Sequence, residues 1–422
     1  MKKYFFLFIA CFTIFIIHLL VSGHAIYGDG NGYYSYAHSI YFQKSLNFDP
    51  IYNHLGNFEG KKYTFSRIFW NTEEGPLGIR KNPYTLGTAF FWIPSIAVIS
   101  LFVHDKFSLI FEIGPGLTGI ILSLFGILFL ERYLENFFSR KIAVITTGFF
   151  FFASNLLYYS SLEPALSHQP AFFLVSLLYW KTYKMKDKFL TYFLVGATTG
   201  LLFITRMADV IFLIPVYWNL IKSKPKWDHF IMAPVGLIVF SLPLFTSYYL
   251  MFGSPFHNPY LTGENGFFNF SLQNIVDFLF SAKRGLFIWT PIYMFGLFGL
   301  FQKKEYIFLI SLVIFTLVSS FWSANTSAGF GQRFIIAGIP LFAYGFAKFL
   351  EKFNHYKILF SILLLWNLLT LFQFYFDSQN MVKNEEFSLK RFAQGQVSSP
   401  FKAYKIIKGD GFKYLLNNNI LD

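Results

Sequence analysis

Apolar runs separated by short basic connections set the pattern of this chain. The runs lie near residues 4–21, 86–103, 108–130, 142–159, 166–182, 189–205, 208–221, 229–250, 285–301, 306–322, 334–350 and 357–375. Most approach the roughly 20 residues that a helix needs to cross a bilayer. If every run crossed, the stretch "ERYLENFFSRK" (131–141) would fall outside, against the bias of Lys and Arg toward the cytoplasmic side. The conflict disappears if 86–103 does not span. That run carries Pro94, is flanked by polar sequence, and reads as a helix lying on or dipping into the outer interface. About eleven spans remain, with the N-terminus inside and the C-terminus outside. The expected fold class is an all-α polytopic membrane protein. It comprises a transmembrane domain over 1–375, with a first external loop (22–107) that carries juxtamembrane helices, and an external C-terminal tail (376–422).

Composition agrees. Of 422 residues, 55% are hydrophobic and 14% charged, where a soluble chain carries about 25% charged residues. The net charge of +13 sits largely in connections assigned to the cytoplasmic side, so it is no sign of nucleic-acid binding. The lone Cys11 lies inside the first apolar run and cannot form an internal disulfide. The N-terminal run could be a signal peptide cleaved after Ala25. Its apolar core exceeds the roughly 7–15 residues of a cleaved segment, so it is expected to remain as the first helix.

With this topology the unusual polar residues gather on one side. Asp29, Lys81, Glu163, His168, Arg206, Lys283, Arg284 and Arg333 all map outside, most at helix ends. Ionisable groups at the hydrocarbon edge are costly without a partner or a function, so the clustering points to one site at the outer interface. In "GDGNGYYSYAHSIYFQ" (28–43), Gly28, Gly30 and Gly32 are expected to turn the chain sharply and hold Asp29 at the surface. The following aromatics suit an interfacial helix, with Tyr33, Tyr36, Ile40 and Tyr41 on one face and Ser35, His38, Ser39 and Gln43 on another. Bland readings compete at each position. Asp29 would only cap a helix, Glu163 would be a solvated loop carboxylate, His168 a cap rather than a metal ligand, and Arg206 a snorkelling cation. Lys283 and Arg284 would be interfacial anchors. Arg333 follows a glycine-containing turn, and a guanidinium at a lipid interface suits an anionic oxygen ligand such as phosphate.

The segment "GDGNGYYSYAHSIYFQKSLNF" resembles the first external loop of GT-C glycosyltransferases of the protein O-mannosyltransferase and bacterial polyprenyl-phosphate-sugar transferase type. "KNPYTLGTAFFWIPSIAV" is similar to that family's interfacial helix, and "SSLEPALSH" to its acidic-Pro second-loop element. "FGSPFHNPY" with "SAKRGLFIWTPIYM" resembles a Gly-Ser-Pro loop and the helix start that follows it. "FWSANTSAGFGQRFIIAGIPL" resembles an element ending in Gly-Pro-Arg, with Gln332 in place of proline. The ordered matches spread over residues 28 to 340.

The resemblance implies sugar transfer from a polyprenyl-phosphate donor to a glycan, lipid or protein acceptor, outside the cytoplasmic membrane and with inversion. Asp29 would be the base, with Glu163 assisting the acceptor or holding a divalent ion. Arg333 would bind the phosphate, with Tyr33, Lys81, His168, Arg206, Lys283 and Arg284 as further substrate contacts. No cofactor is required, though a divalent metal is possible. The rival readings are a transporter or flippase of lipid-linked sugars, or a surface-polysaccharide polymerase or ligase. Transporters tend to place charge at the midplane of paired repeats, and neither feature is evident here.

Overall fold

A computed structural model describes residues 2–56, 67–68, 70–262, 268–322, 329–383 and 387–409. Among these, every regular element is helical. The apolar runs become Lys2–Ser22, Ile110–Leu134, Arg140–Phe152, His168–Thr182, Phe189–Thr205, Met232–Phe252, Tyr306–Phe321 and Tyr356–Lys383, together with several runs that form in pieces. The breaks have a local cause. Met207–Leu213 gives way to Ile214–Lys222, and Arg333–Gly338 to Ile339–Leu350, each time with a proline in the new first turn. Proline lacks the amide that a continuing helix needs but fits a starting one.

Among the described residues, five helices are long and apolar enough to cross a membrane: Lys2–Ser22, Ile110–Leu134, Trp227–Phe252, Arg333–Leu350 and Tyr356–Phe376. Gly87–Ser100, Phe189–Thr205, Ile292–Gln302 and Tyr306–Phe321 are apolar but shorter. Phe5, Phe6, Leu20, Leu242, Val313 and Ile362 point large apolar side chains outward. Hydrocarbon, not water, accepts such a surface, and the chain has the construction of a helical membrane protein.

The first helix and Ile110–Leu134 run antiparallel. At one end the Lys3 ammonium pairs with Glu131 at 2.5 Å and the Tyr4 hydroxyl donates to the same carboxylate at 2.9 Å. At the other end the amides of Ala25 and Ile26 donate to the Glu112 carboxylate at 2.8 and 3.2 Å. The segment between the two helices therefore leaves and returns on the same side. Gly87–Ser100 lies within that segment and packs on Ile110–Leu134 and Phe189–Thr205.

The first loop folds into its own apolar core of Ile26, Tyr33, Tyr36, Phe48, Leu55, Tyr84, Trp92 and neighbours, closed by Leu244, Tyr248 and Met251. This corrects the expectation of an interfacial amphipathic helix. Every residue of Gly30–His38 is buried, on both its aromatic and its polar face. The glycines act differently too. Of Gly28, Gly30 and Gly32, Gly28 alone has a positive φ, at 48°. A Cβ on Gly32 would fall 2.1 Å from the Tyr84 ring, and one on Gly30 would fall 2.7 Å from the Ala165 carbonyl. These two positions need glycine for close approach.

A buried ion pair fastens this loop. Arg67 donates to Glu112 at 2.6 Å, with both side chains about 5% exposed or less. Its remaining donors reach the Asn31 side-chain oxygen at 3.0 Å and the Ile26 carbonyl at 2.8 Å. Removing Glu112 takes the carboxylate from a buried guanidinium. Glu112→Ala is therefore expected to lower stability by about 3–5 kcal/mol. An Arg67→Met/Glu112→Met protein should recover much of that loss, as read by thermal melts in detergent.

At the C-terminal end, Tyr356–Lys383 runs past the expected boundary at residue 376, and Leu389–Gly409 packs back on it. Gln396 donates to Thr370 and Gln373 at 3.0 and 2.8 Å, and the Phe392 ring lies near Trp289 and Trp366.

Candidate functional site

At the end of the molecule where Glu112 meets Ala25, four separate segments converge. The turn before Gly30–His38 brings Asp29. The connection ahead of His168–Thr182 brings Glu163 and Ser167. The break after Thr205 brings Arg206, and the 3-10 turn Arg333–Gly338 brings Arg333. Arg333 donates to the Asp29 carboxylate at 2.6 Å, across 304 residues of sequence. The Asp29 side chain remains 24% exposed and makes no capping hydrogen bond to its helix. The reading of Asp29 as a simple cap is thereby set aside. The Tyr84 hydroxyl approaches its other oxygen at 3.5 Å.

Arg206 is not a snorkelling cation. Its Nε donates to the buried Asp209 carboxylate at 2.8 Å and its Nη1 to the Ser167 hydroxyl at 3.2 Å. Ser167 donates in turn to the Tyr33 hydroxyl at 3.1 Å. Both guanidiniums lie over the Phe334 ring, Arg206 at 5.4 Å and Arg333 at 5.7 Å from its centre. This network fixes both cations beside one cavity of about 380 Å³. The cavity's lining is mixed. Asp29, Tyr33, Tyr84, Arg206 and Arg333 form its polar wall, and Leu261, Phe268, Phe315, Val318, Trp322 and Phe334 are among its apolar lining residues.

Behind the polar wall lie residues that do not line the cavity. Glu163 is buried, accepts from the Tyr158 hydroxyl at 2.6 Å, and feels the charges of Arg333 and Asp29. Burial pushes its carboxyl above the usual range, so it is no solvated loop carboxylate. His168 is buried near the Tyr159 and Phe334 rings, and its Nδ1 has no hydrogen-bond partner. Arg284 is 5% exposed, with Nε and Nη1 unpartnered. Burial, and then Arg333 beside it, push its guanidinium down to about 10. Arg284 is thus not an interfacial anchor. Among the described residues, no three His, Cys, Asp or Glu side chains are grouped to hold a metal ion.

Of the expected contacts, Asp29, Tyr33, Arg206 and Arg333 line the cavity, and Glu163, His168 and Arg284 sit behind it. Lys81 and Lys283 are half-buried and do not line it. The Lys81 carbonyl accepts from Tyr52, and the Lys283 amide bonds the Ser281 hydroxyl. Residues 323–328 of the tryptophan element lie outside the described residues. Sequence reasoning missed Tyr84, Ser167, Asp209, Tyr260 and Trp322. Asp209 carried a signal, as a carboxylate inside an apolar run. The other four are ordinary loop or belt residues in sequence. No protein-family model, no curated protein and no solved structure matches the chain.

Proposed function

We propose that the protein is a membrane glycosyltransferase that moves a sugar from a polyprenyl-phosphate donor to an acceptor hydroxyl at the outer face of the cytoplasmic membrane. The observation that carries this reading is the mixed lining of the cavity. A carboxylate stands partly exposed on its polar wall, and apolar side chains suited to a lipid chain line the same cavity. The charge count supports it. Arg206 and Arg333 are matched by Asp209 and Asp29, while Arg284 has no carboxylate partner among the described residues. A buried guanidinium left so is costly unless an anionic ligand compensates it, and a lipid phosphate is such a ligand.

Asp29 takes the proton of the acceptor hydroxyl as that oxygen attacks the anomeric carbon. The bond from that carbon to the phosphate oxygen breaks, and the charge that builds there is met by Arg333. Attack opposite the leaving group inverts the anomeric centre. Before donor binds, Arg333 occupies Asp29. Drawing Arg333 onto the phosphate frees the carboxylate for the acceptor, so the base becomes available when the leaving group is in place.

The test is transfer by purified protein in detergent from a labelled polyprenyl-phosphate sugar. Release of polyprenyl phosphate with label in a new glycoside supports the reading. Movement of intact donor across liposomes with no bond cleaved overturns it in favour of transport.

The same proposal includes about eleven spans with the site outside. Single cysteines introduced at the exposed positions Asn71 and Ser223 report on it, because the native Cys11 is buried. In intact spheroplasts an impermeant maleimide should label Asn71→Cys and spare Ser223→Cys. The reverse pattern inverts the topology.

A further inference from the structure

A second cavity, of about 450 Å³, lies at the opposite end of the molecule, where Lys3 meets Glu131. Its size falls within the roughly 300–1,000 Å³ of small-molecule sites. Three connections close it: the stretch after Tyr133, the turn Thr182–Met185, and the start of Tyr306–Phe321 at Glu305. The end of Ile214–Lys222 completes the wall. This site shares no residue with the cavity at Asp29.

Its charges are arranged unusually. Lys184, Lys222 and Glu305 all line it. Yet neither ammonium pairs with a carboxylate among the described residues, and the only hydrogen bond to the Glu305 side chain comes from the Tyr344 hydroxyl at 3.2 Å. Lys184 and Lys222 instead lie over the rings of Tyr183 and Trp218. Opposite charges that share a cavity without meeting leave a positive pole and a negative pole at a distance. Tyr344, which donates to Glu305, stacks on Phe308 with ring centres 5.0 Å apart, and the Lys348 ammonium lies over the Tyr344 ring at 5.2 Å. The aromatic faces at the negative pole are therefore already taken, and the Glu305 carboxylate is what it offers a cation. The other pole offers two ammonium groups, which suit a phosphate as point charges. Trp218, 44% exposed on the outside of the fold, stands at the edge of this cavity, as an amphipathic ring does at a membrane interface.

We infer that this cavity binds the headgroup of an aminophospholipid of the phosphatidylethanolamine class. Its phosphate sits on Lys184 and Lys222, and its ammonium pairs with the Glu305 carboxylate. The zwitterion matches both poles at once, and its acyl chains leave toward the bilayer past Trp218. A purely anionic lipid satisfies the lysines but places no cation on Glu305. Free phosphate lacks both the cation and the chains.

The experiment uses the full-length protein in detergent, with short-chain phosphatidylethanolamine, short-chain phosphatidylglycerol and inorganic phosphate titrated separately. Binding is read by native mass spectrometry. Phosphatidylethanolamine should bind saturably and at least tenfold more tightly than phosphatidylglycerol. Glu305→Gln keeps an acceptor for Tyr344 but loses the charge, and should bring the two lipids to equal affinity. A Lys184→Asn/Lys222→Gln protein should lose both lipids. Asn is chosen because Lys184 has a left-handed backbone, φ 59°, which asparagine tolerates. Thermal melts should be unchanged in each variant, and Lys222→Gln alone, at an exposed position, should still weaken both lipids if the double variant unfolds. Equal affinity for the two lipids in the unaltered protein overturns the inference. So does lipid binding that survives the lysine changes, or phosphate bound as tightly as lipid.

Discussion

Asp29→Asn is expected to leave the fold and donor binding intact while slowing transfer by about 10²–10⁴-fold, the usual worth of a positioned general base. Asparagine keeps the size of the side chain and one carbonyl oxygen, so Arg333 retains an acceptor where the 2.6 Å contact now lies. What it loses is the capacity to take a proton. The loss should appear in single-turnover rate with donor already bound, and not in the donor concentration needed for half-saturation. Glu163 provides the comparison. It lies behind the cavity wall and does not line the cavity, so Glu163→Gln, which keeps an oxygen to accept from Tyr158, should cost far less. Near-normal turnover in folded Asp29→Asn protein removes Asp29 from the chemistry and leaves it as a structural partner of Arg333.

Much of the architecture was legible in the sequence because membrane helices announce themselves. Bilayer thickness dictates the length of an apolar run, and basic loops mark its ends. The charge of 131–141 leads to the expectation that 86–103 does not cross, and Lys3 meets Glu131 at one end of the molecule. The helix Gly30–His38 shows where such reading stops. Its polar face looked solvent-exposed because the sequence of one helix cannot reveal what covers it. Its cover comes from distant positions such as Asn82, whose side chain donates to the Gly32 carbonyl, and Arg67, which holds Asn31. Long-range pairs have no local trace. Glu112 did carry a mark, as a carboxylate in an apolar run, but nothing in the sequence joined it to Arg67. At the candidate site the cations were legible as cations. Their division of labour was not, because it depends on which carboxylate each one meets. Arg206 and Arg333 meet Asp209 and Asp29, and Arg284 meets none among the described residues.

Arg333→Ala is expected to cut transfer by at least the 10²–10³-fold that follows loss of one group stabilising a developing anion. A second consequence is that Asp29 loses its ion-pair partner on the cavity wall. The surroundings show why arginine is needed. Its side chain is 10% exposed, it lies against the Phe334 ring, and Gly329, with φ 134°, leaves room for it where a Cβ would come within 3.3 Å of its Cδ. A planar guanidinium can turn from Asp29 and offer two parallel N–H groups to a phosphate. Lysine in the same place keeps the charge but not the fork, so Arg333→Lys should recover only part of the rate. The effect should fall on the chemical step more than on donor affinity, because charge on the leaving phosphate grows in the transition state. The pair can also be tested as a unit. If Arg333 hands Asp29 to the acceptor when donor arrives, then Asp29→Asn/Arg333→Ala should lose much less than the product of the two single losses. Single-turnover kinetics on all four proteins, with thermal melts to confirm folding, decides the matter. Full activity in Arg333→Lys would make Arg333 a helix anchor, and strictly multiplicative losses would separate it from Asp29.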